Sequence, residues 1–270
     1  MKLTNTFKFP LKELLLMPEF IYFLGFIWAD GSLQYNTMSF EIQSRDFEEI
    51  KSTLETFLNL VKTPRRQRER NGKIGLQQTR LSISDKSFSD FLYFCYFNRR
   101  KDGQSFEILL NYIEPTLHKF FIHGYFDGDG SVGYCKSDRI KISIASNYNQ
   151  DWTFLQDFFL KNEISSMIYK KTYLTKQYKS SALYIYRQHD IRRFFELINS
   201  HIEGLKRKKE KLTNIYLSSS KIKDIPKTSK HRNINLMGNS WIVVLTKQGK
   251  RIYIGSFETE EIALKIKLLT

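Results

Sequence analysis

Cysteine is nearly absent: the 270 residues contain only Cys95 and Cys135. Two thiols build neither a disulfide framework nor a cysteine-based zinc site, so both read as small hydrophobes. No stretch of about 18 apolar residues occurs, which excludes a membrane-spanning helix. The opening residues, MKLTNTFKFPLKELLLMPEF, hold a short apolar patch without the layout of a secretory signal. Acids are also in deficit, with 28 Asp and Glu against 43 Lys and Arg, a net charge of +15. That balance points to a polyanionic partner, nucleic acid before an anionic membrane surface, with a merely solvated basic surface as the plainer reading.

What is present is apolar. Hydrophobic residues make up 41% of the chain and aromatic residues 15%. That supports a packed core, and the length suits two domains or two halves with an appendage.

The chain repeats itself. FLGFIWADGSL (23–33) and IHGYFDGDGSV (122–132) align without a gap, matching Asp30 with Asp129 and Gly31 with Gly130. Each copy is followed by an alternating segment that reads as a half-buried strand: Met38, Phe40 and Ile42 in the first, Ile140, Ile142 and Ile144 in the second. A helical stripe comes next, formed by Phe47, Ile50, Leu54, Phe57, Leu58 and Val61, or by Trp152, Leu155, Phe158 and Phe159. QTRLSIS, MIYKKTY and ALYIYRQ read as further strands, and KSFSDFLYFCYF and DIRRFFELINS as closing helices. The predicted open strand faces carry Arg, Lys, Gln, Ser, Thr and Tyr.

In each copy a small residue recurs four positions after a glycine: Gly25 with Ala29, and Gly124 with Gly128. Residues four apart share a helix face, so two such faces let two helix backbones touch. Packed this way, Asp30 and Asp129 end side by side at the helix C-termini, where carbonyl dipoles already disfavour negative charge. A divalent cation would reverse that penalty. Hard oxygen ligands suit Mg²⁺, and metal ions at such sites serve phosphodiester hydrolysis. A single Asp-Gly after an apolar run reads as a turn; two copies with one spacing argue for a site. Asp127, opposite Trp28 of the first copy, breaks the symmetry and reads as a supporting residue.

These residues resemble the paired signature of the LAGLIDADG homing endonucleases, in the single-chain form with two motifs, over about residues 18–216. The resemblance implies an α+β fold with two pseudo-symmetric αββαββα halves, 1–110 and 111–216, and a DNA-facing saddle of antiparallel sheets. It implies Asp30 and Asp129 as metal ligands, with Gly31 and Gly130 at the metal, and Mg²⁺ as cofactor, with Mn²⁺ substituting. Basic residues near the site are expected at Lys101 and Lys208, and water-ordering polar residues at Ser44 and Ser146. The first copy departs from the pattern in its large hydrophobes Phe26 and Trp28.

Residues 217–230 read as a linker. The tail, 231–270, resembles a three-stranded AP2-type DNA-binding domain, a small ββ(β)α module with Thr259 as helix N-cap. Expected DNA contacts are Gln43, Arg66, Arg68, Arg70, Arg80, Arg139, Lys141, Lys170, Lys171 and Arg187 on the body. On the tail they are Arg232, Trp241, Lys247, Lys250, Arg251 and Tyr253. Together these features give the expectation of a monomeric, metal-dependent, site-specific double-strand DNA endonuclease acting inside the cell. A maturase binding structured intron RNA and a non-cleaving DNA-binding regulator are the alternatives.

Overall fold

The computed structural model describes residues 5–61, 65–70, 73–134, 140–173, 178–219, 234–237, 240–247 and 250–269. It divides into two compact units, Met1–Tyr216 and Leu217–Thr270.

The larger unit opens with β1 (Thr6–Phe7) and α1 (Leu11–Leu14) and then enters α2 (Pro18–Asp30). Pro18 starts α2, where its fixed φ suits the first turn and its missing N–H is not needed. Every residue of α2 from Phe20 to Trp28 is buried, as expected for a helix covered on all sides. The chain continues through β2 (Gly31–Gln34), β3 (Thr37–Gln43), α3 (Ser44–Phe57), β4 (Leu58–Asn59), β5 (Arg65–Arg70), β6 (Lys73–Ser84) and α4 (Lys86–Phe94). Asp85 caps α4, accepting from the Phe88 N–H at 2.8 Å. A 3₁₀ helix over Phe97–Asp102 and α5 (Glu107–Leu110) lead into the second half.

That half repeats the order as α6 (His118–Asp129), β7 (Gly130–Tyr134), β8 (Ile140–Asn147), α7 (Thr153–Lys161), β9 (Met167–Tyr173), β10 (Tyr178–Ile185) and α8 (Gln188–Ile198), followed by α9 (Lys206–Ser219). The two four-stranded sheets have equivalent orders, β2-β3-β6-β5 and β7-β8-β10-β9, with antiparallel pairing throughout. The α+β fold with two pseudo-symmetric halves is therefore present. One face of each sheet is closed by helices: Met38, Phe40, Ile42, Leu81 and Ile83 are buried in the first, Ile142, Ile144, Leu183 and Ile185 in the second. Alternate residues such as Ser39, Arg80, Ser143 and Tyr184 lie on the opposite faces, half-buried.

The α3 stripe ends earlier than its periodicity suggests. Phe47, Ile50, Leu54 and Phe57 are buried along the helix, but Leu58 begins β4, which pairs with β1, and Val61 lies beyond it. Trp152 likewise precedes α7 and donates its indole N–H to Ser181 at 2.9 Å.

The smaller unit is a three-stranded antiparallel sheet of β11 (Ile234–Met237), β12 (Ser240–Lys247) and β13 (Lys250–Phe257), with α10 (Glu260–Leu269). Ile234, Val243 and Ala263 form its buried core. Thr259 accepts from the Ile262 N–H at 3.3 Å, as an N-cap should.

Candidate active site

The site sits where α2 and α6 end together. A Cβ on Gly25 would lie 1.9 Å from the Phe121 carbonyl oxygen, and one on Gly124 would lie 1.8 Å from that of Tyr22. Each helix thus fills the space a side chain would take on the other. Toward the C-termini a Cβ on Gly128 would lie 2.2 Å from the Ala29 Cβ and 3.6 Å from Asp30 Oδ2. All four small residues therefore line one seam, with Asp30 and Asp129 at its end. The bulk of Trp28 goes elsewhere, against Phe97, Phe106 and Phe121.

The two acids perturb each other. Burial, then the neighbouring Asp30 charge, pushes the Asp129 carboxyl up to about 7, against the pull of Arg100 and Lys208. Burial also raises Asp30, opposed by Lys208, Arg100 and Arg207. Asp30 keeps much of its surface in solvent, which moderates the effect there.

Two cations answer the helix ends. Neither α2 nor α6 has a basic residue in its own last turn. The Arg100 guanidinium donates to the Gly31 carbonyl just past α2 and stacks 4.8 Å from the Phe97 ring. Lys208, only 4% exposed, donates to the carbonyls of Phe126 at 2.7 Å and Asp127 at 2.6 Å at the end of α6. Burial lowers its pKa to about 8, although Asp127, Asp30 and Asp129 counteract it. A positive group at each negative helix end is what allows acids to stand there.

Lys208 thus occupies the position the sequence suggests. In the first half it is Arg100 that reaches the acids; Lys101 is exposed and lines the same cleft. Both residues belong to a 3₁₀ helix entered through Tyr96 in the left-handed region. The run Asn98–Gly103 gives no sign of that turn, so spacing alone could not tell which cation points inward.

Asp127 is fully engaged: it accepts from the Tyr22 hydroxyl at 2.8 Å and the Leu205 N–H at 2.9 Å, with His123 Nε2 at 3.5 Å. It ties α6 to α2 and to the segment entering α9. Burial, ahead of the opposing Asp127 charge, lowers the His123 pKa and favours the neutral ring.

A cleft of about 370 Å³ opens beside Asp129, lined by Trp28, Arg100, Tyr125, Ser146 and Asn147 among others. Burial, then Asp129, pushes the Tyr125 phenol far up, so it stays protonated at any working pH. Ser146 lies within β8 rather than after it and donates to Gln150 at 2.9 Å. Ser44 opens α3 and accepts from Thr79 at 3.0 Å.

Among the described residues no group of three His, Cys, Asp or Glu could hold a metal ion. The donor set is the carboxylate pair. It fits Mg²⁺, which is held by one or two carboxylates with water and phosphate oxygens completing the shell. Gly130 opens β7, and the Gly31 carbonyl accepts from Arg100.

The expected nucleic-acid contacts separate into groups. Gln43, Arg80 and Lys141 lie on sheet faces opposite the helices, with Arg80 reaching Ser39 at 3.4 Å and Lys141 lying 4.8 Å over the Tyr184 ring. Lys170 and Lys171 cannot serve one surface together, because neighbours on a strand point to opposite faces. Lys171 pairs with Ser180 on the Tyr184 face, while Lys170 pairs with buried Ser181 and lies 5.1 Å from the Tyr148 ring. Arg187 is exposed and precedes α8 as its N-cap. On the tail, Tyr253 is 61% exposed, and Trp241 is partly buried, packed against the unit's small core. Arg66, Arg68 and Arg70 lie in edge strand β5, and Lys247, Lys250 and Arg251 in β12 and β13, with their side chains outside the described set. Arg139 and Arg232 lie outside the described residues, as does Cys135 and most of the expected linker; Cys95 is buried.

Sequence reasoning missed Tyr22, Asp46, Glu49 and Asn147, whose partners lie in the other half and leave no local signal. No helix among the described residues is long and apolar enough to cross a membrane.

Residues 117–199 match the family described as a LAGLIDADG-like domain. No curated protein matches the chain. Among solved structures, the homing endonuclease I-WcaI bound to its DNA recognition sequence is similar, at 18% identity and TM-score 0.54, over 72% of this chain and 85% of that one. I-DmoI in complex with DNA and Ca is similar at 15% identity and TM-score 0.44, over 73% and 97%. The N-terminal LAGLIDADG domain of DUF199/WhiA is similar at 16% and 0.41, over 77% and 89%. At 18% identity the likeness to I-WcaI bears on fold alone: α2 and α6 with their two sheets form the fold of the LAGLIDADG homing endonucleases.

Proposed function

We propose that the protein is a divalent-metal-dependent, site-specific endonuclease that cuts both strands of duplex DNA as a monomer inside the cell. The observation that carries this reading is the meeting of Asp30 and Asp129 at the end of the glycine seam, one carboxylate from each half, flanked by Arg100 and Lys208. Asp30 and Asp129 would hold Mg²⁺ or Mn²⁺, with Gly130 beside them. The bound ion would supply Lewis acidity and an activated water at the phosphodiester. Arg100 and Lys208 neutralise negative charge at the helix ends and favour a phosphate between them. The open sheet faces, with Gln43, Arg80, Lys141 and Lys171, would lie along the duplex and read base edges and phosphates. The domains would be the halves 1–110 and 111–216, a linker over 217–230, and an AP2-like accessory DNA-binding module over 231–270.

One observation favours a second reading, a non-cleaving DNA- or RNA-binding protein of the same fold. Arg100 engages the carbonyl of Gly31, a residue that the resemblance places at the metal. The test is cleavage of a randomised duplex library by purified protein in Mg²⁺. Recovery of a defined cut site, lost in Asp30→Asn and Asp129→Asn, supports the endonuclease. Binding without cutting in Mg²⁺ and in Mn²⁺ overturns it.

A further inference from the structure

We propose that each half holds the other half's cation in place: Asp46 and Glu49 of the first half position Lys208, and Asn147 of the second half positions Arg100. This deepens the function proposed above, because the two cations matter there for their place beside Asp30 and Asp129. The holding interactions themselves do not depend on that function.

Consider Lys208 first. It lies in the first turn of α9, an element of the second half. The start of that helix is gripped from α3 in the first half. Glu49 Oε2 accepts from the Lys206 N–H at 2.8 Å, and Asp46 Oδ2 accepts from Arg207 Nε at 3.2 Å and lies 3.2 Å from Arg207 Nη2. Asp127 takes the preceding N–H, that of Leu205, at 2.9 Å. Carboxylates at free N–H groups suit a helix N-terminus. Asp46 is only 3% exposed and also lies 3.4 Å from Arg45 Nε, so a buried carboxylate held between two arginines fixes the start of the helix.

Arg100 is held by the reverse arrangement. It belongs to the first half, but its carbonyl accepts from Asn147 Nδ2 at 3.2 Å. The Asp151 N–H donates to Gly103 at 2.9 Å across the same junction. Asn147 is itself fixed, its Oδ1 accepting from the Asn149 N–H at 2.9 Å. Gly103, at φ +101°, sits so close that a Cβ would lie 2.3 Å from the Asn149 carbonyl oxygen. The two grips come from comparable places, α3 directly after β3 and the last residue of β8, and they cross. They are positioning residues, acting on the site through the cations they hold.

The test uses the full chain and two chemical probes. Acylation of Lys208 by an N-hydroxysuccinimide ester is followed by peptide mass spectrometry in wild type, Asp46→Asn, Arg207→Gln and the double variant. Reactivity of buried Cys95 toward a thiol reagent reports global unfolding. The expected result is a roughly twofold or greater rise in Lys208 labelling in each single variant, with no further rise in the double variant, because one interaction is broken either way. Cys95 should stay protected. Should Asp46→Asn expose Cys95, the milder Arg207→Gln decides alone. Phenylglyoxal labelling of Arg100 in Asn147→Leu should rise in the same manner. Unchanged labelling at Lys208 and Arg100, or additive effects in the double variant, overturns the proposal. Where wild type cuts DNA, Asp46→Asn and Asn147→Leu should each accumulate singly nicked plasmid at unchanged DNA affinity, and balanced cutting at the wild-type rate would overturn the proposal. If wild type does not cut, the endonuclease reading fails by itself and the labelling still decides the positioning.

Discussion

The carbonyl oxygen of Tyr22 lies 1.8 Å from where a Cβ on Gly124 would stand, so the backbone of one helix occupies the side-chain space of the other. Gly124→Ala must push α2 and α6 apart, and overpacking of this kind costs about 1–3 kcal/mol or more. Urea unfolding should show that loss, and also a loss of DNA cleavage as the acids separate. Gly133→Ala is the control: nothing lies within 4 Å of its added Cβ, and its stability should not fall.

Asp30→Asn and Asp129→Asn should each abolish double-strand cutting while leaving duplex affinity in Ca²⁺ nearly unchanged, since affinity rests on basic side chains. Each change also removes one of two repelling charges, so the metal-free protein should keep or gain thermal stability. A cleaving variant would remove that acid from the site. A large stability loss in both would make them structural caps.

Stability should fall with pH because of Asp129. Its carboxyl holds a proton up to about pH 7 in the folded protein, whereas an unfolded Asp releases it near about 3.9. Between those values the folded state binds more protons, so unfolding free energy declines as pH rises from about 4 to about 7 and levels off above. The drop is at most about 4 kcal/mol, reduced by solvent in the cleft. Asp129→Asn should flatten this part of the profile. At pH 8, adding Mg²⁺ should raise the Tm of wild type and not of the variant, as calorimetry would reveal.

Much of this site was legible because it is repeated. Asp30 and Asp129, and the small residues before them, announce a seam through spacing that occurs twice. The strands were legible too, since Phe40 and Ile144 belong to alternating patterns fixed by a period of two. What could not be read was held by tertiary packing. Arg100 rather than Lys101 points inward because the chain turns through a left-handed Tyr96, which no local rule favours. Trp241 reads from its place at the head of a strand as a DNA-facing residue; that its indole also packs against the small core of the tail is set by tertiary packing and has no local signal. The helix over Ser44–Phe57 stopped short because pairing of β4 with β1 claimed Leu58.

Asp127→Ala should destabilise by about 2–4 kcal/mol, because the Tyr22 hydroxyl and the Leu205 N–H lose a charged acceptor inside the protein. Chemical denaturation measures this. Tyr22→Phe should cost less, about 1 kcal/mol, since Asp127 keeps its other partners. Equal losses would show that the carboxylate depends on the phenol alone.

Ending the chain at Ser219 should weaken DNA binding without preventing cleavage at saturating protein. Every phosphate that the shortened chain no longer neutralises should lower the log–log salt slope by roughly 0.9. An unchanged slope in a salt titration would mean that the smaller unit does not touch DNA.

Asp127 and Trp28 occupy corresponding places in the two motif helices, yet only Asp127 needs a hydroxyl from across the seam. That hydroxyl comes from Tyr22, and the corresponding residue of the second half is Phe121, which has none. Two copies of the second half brought together would bury two Asp127 carboxylates without their phenol donor, and two copies of the first half would lack the acid altogether. The halves have become lock and key for one another. Separately expressed fragments should therefore choose the mixed pair over either like pair, and exchanging one half for its twin would yield a seam that closes poorly despite its intact glycines.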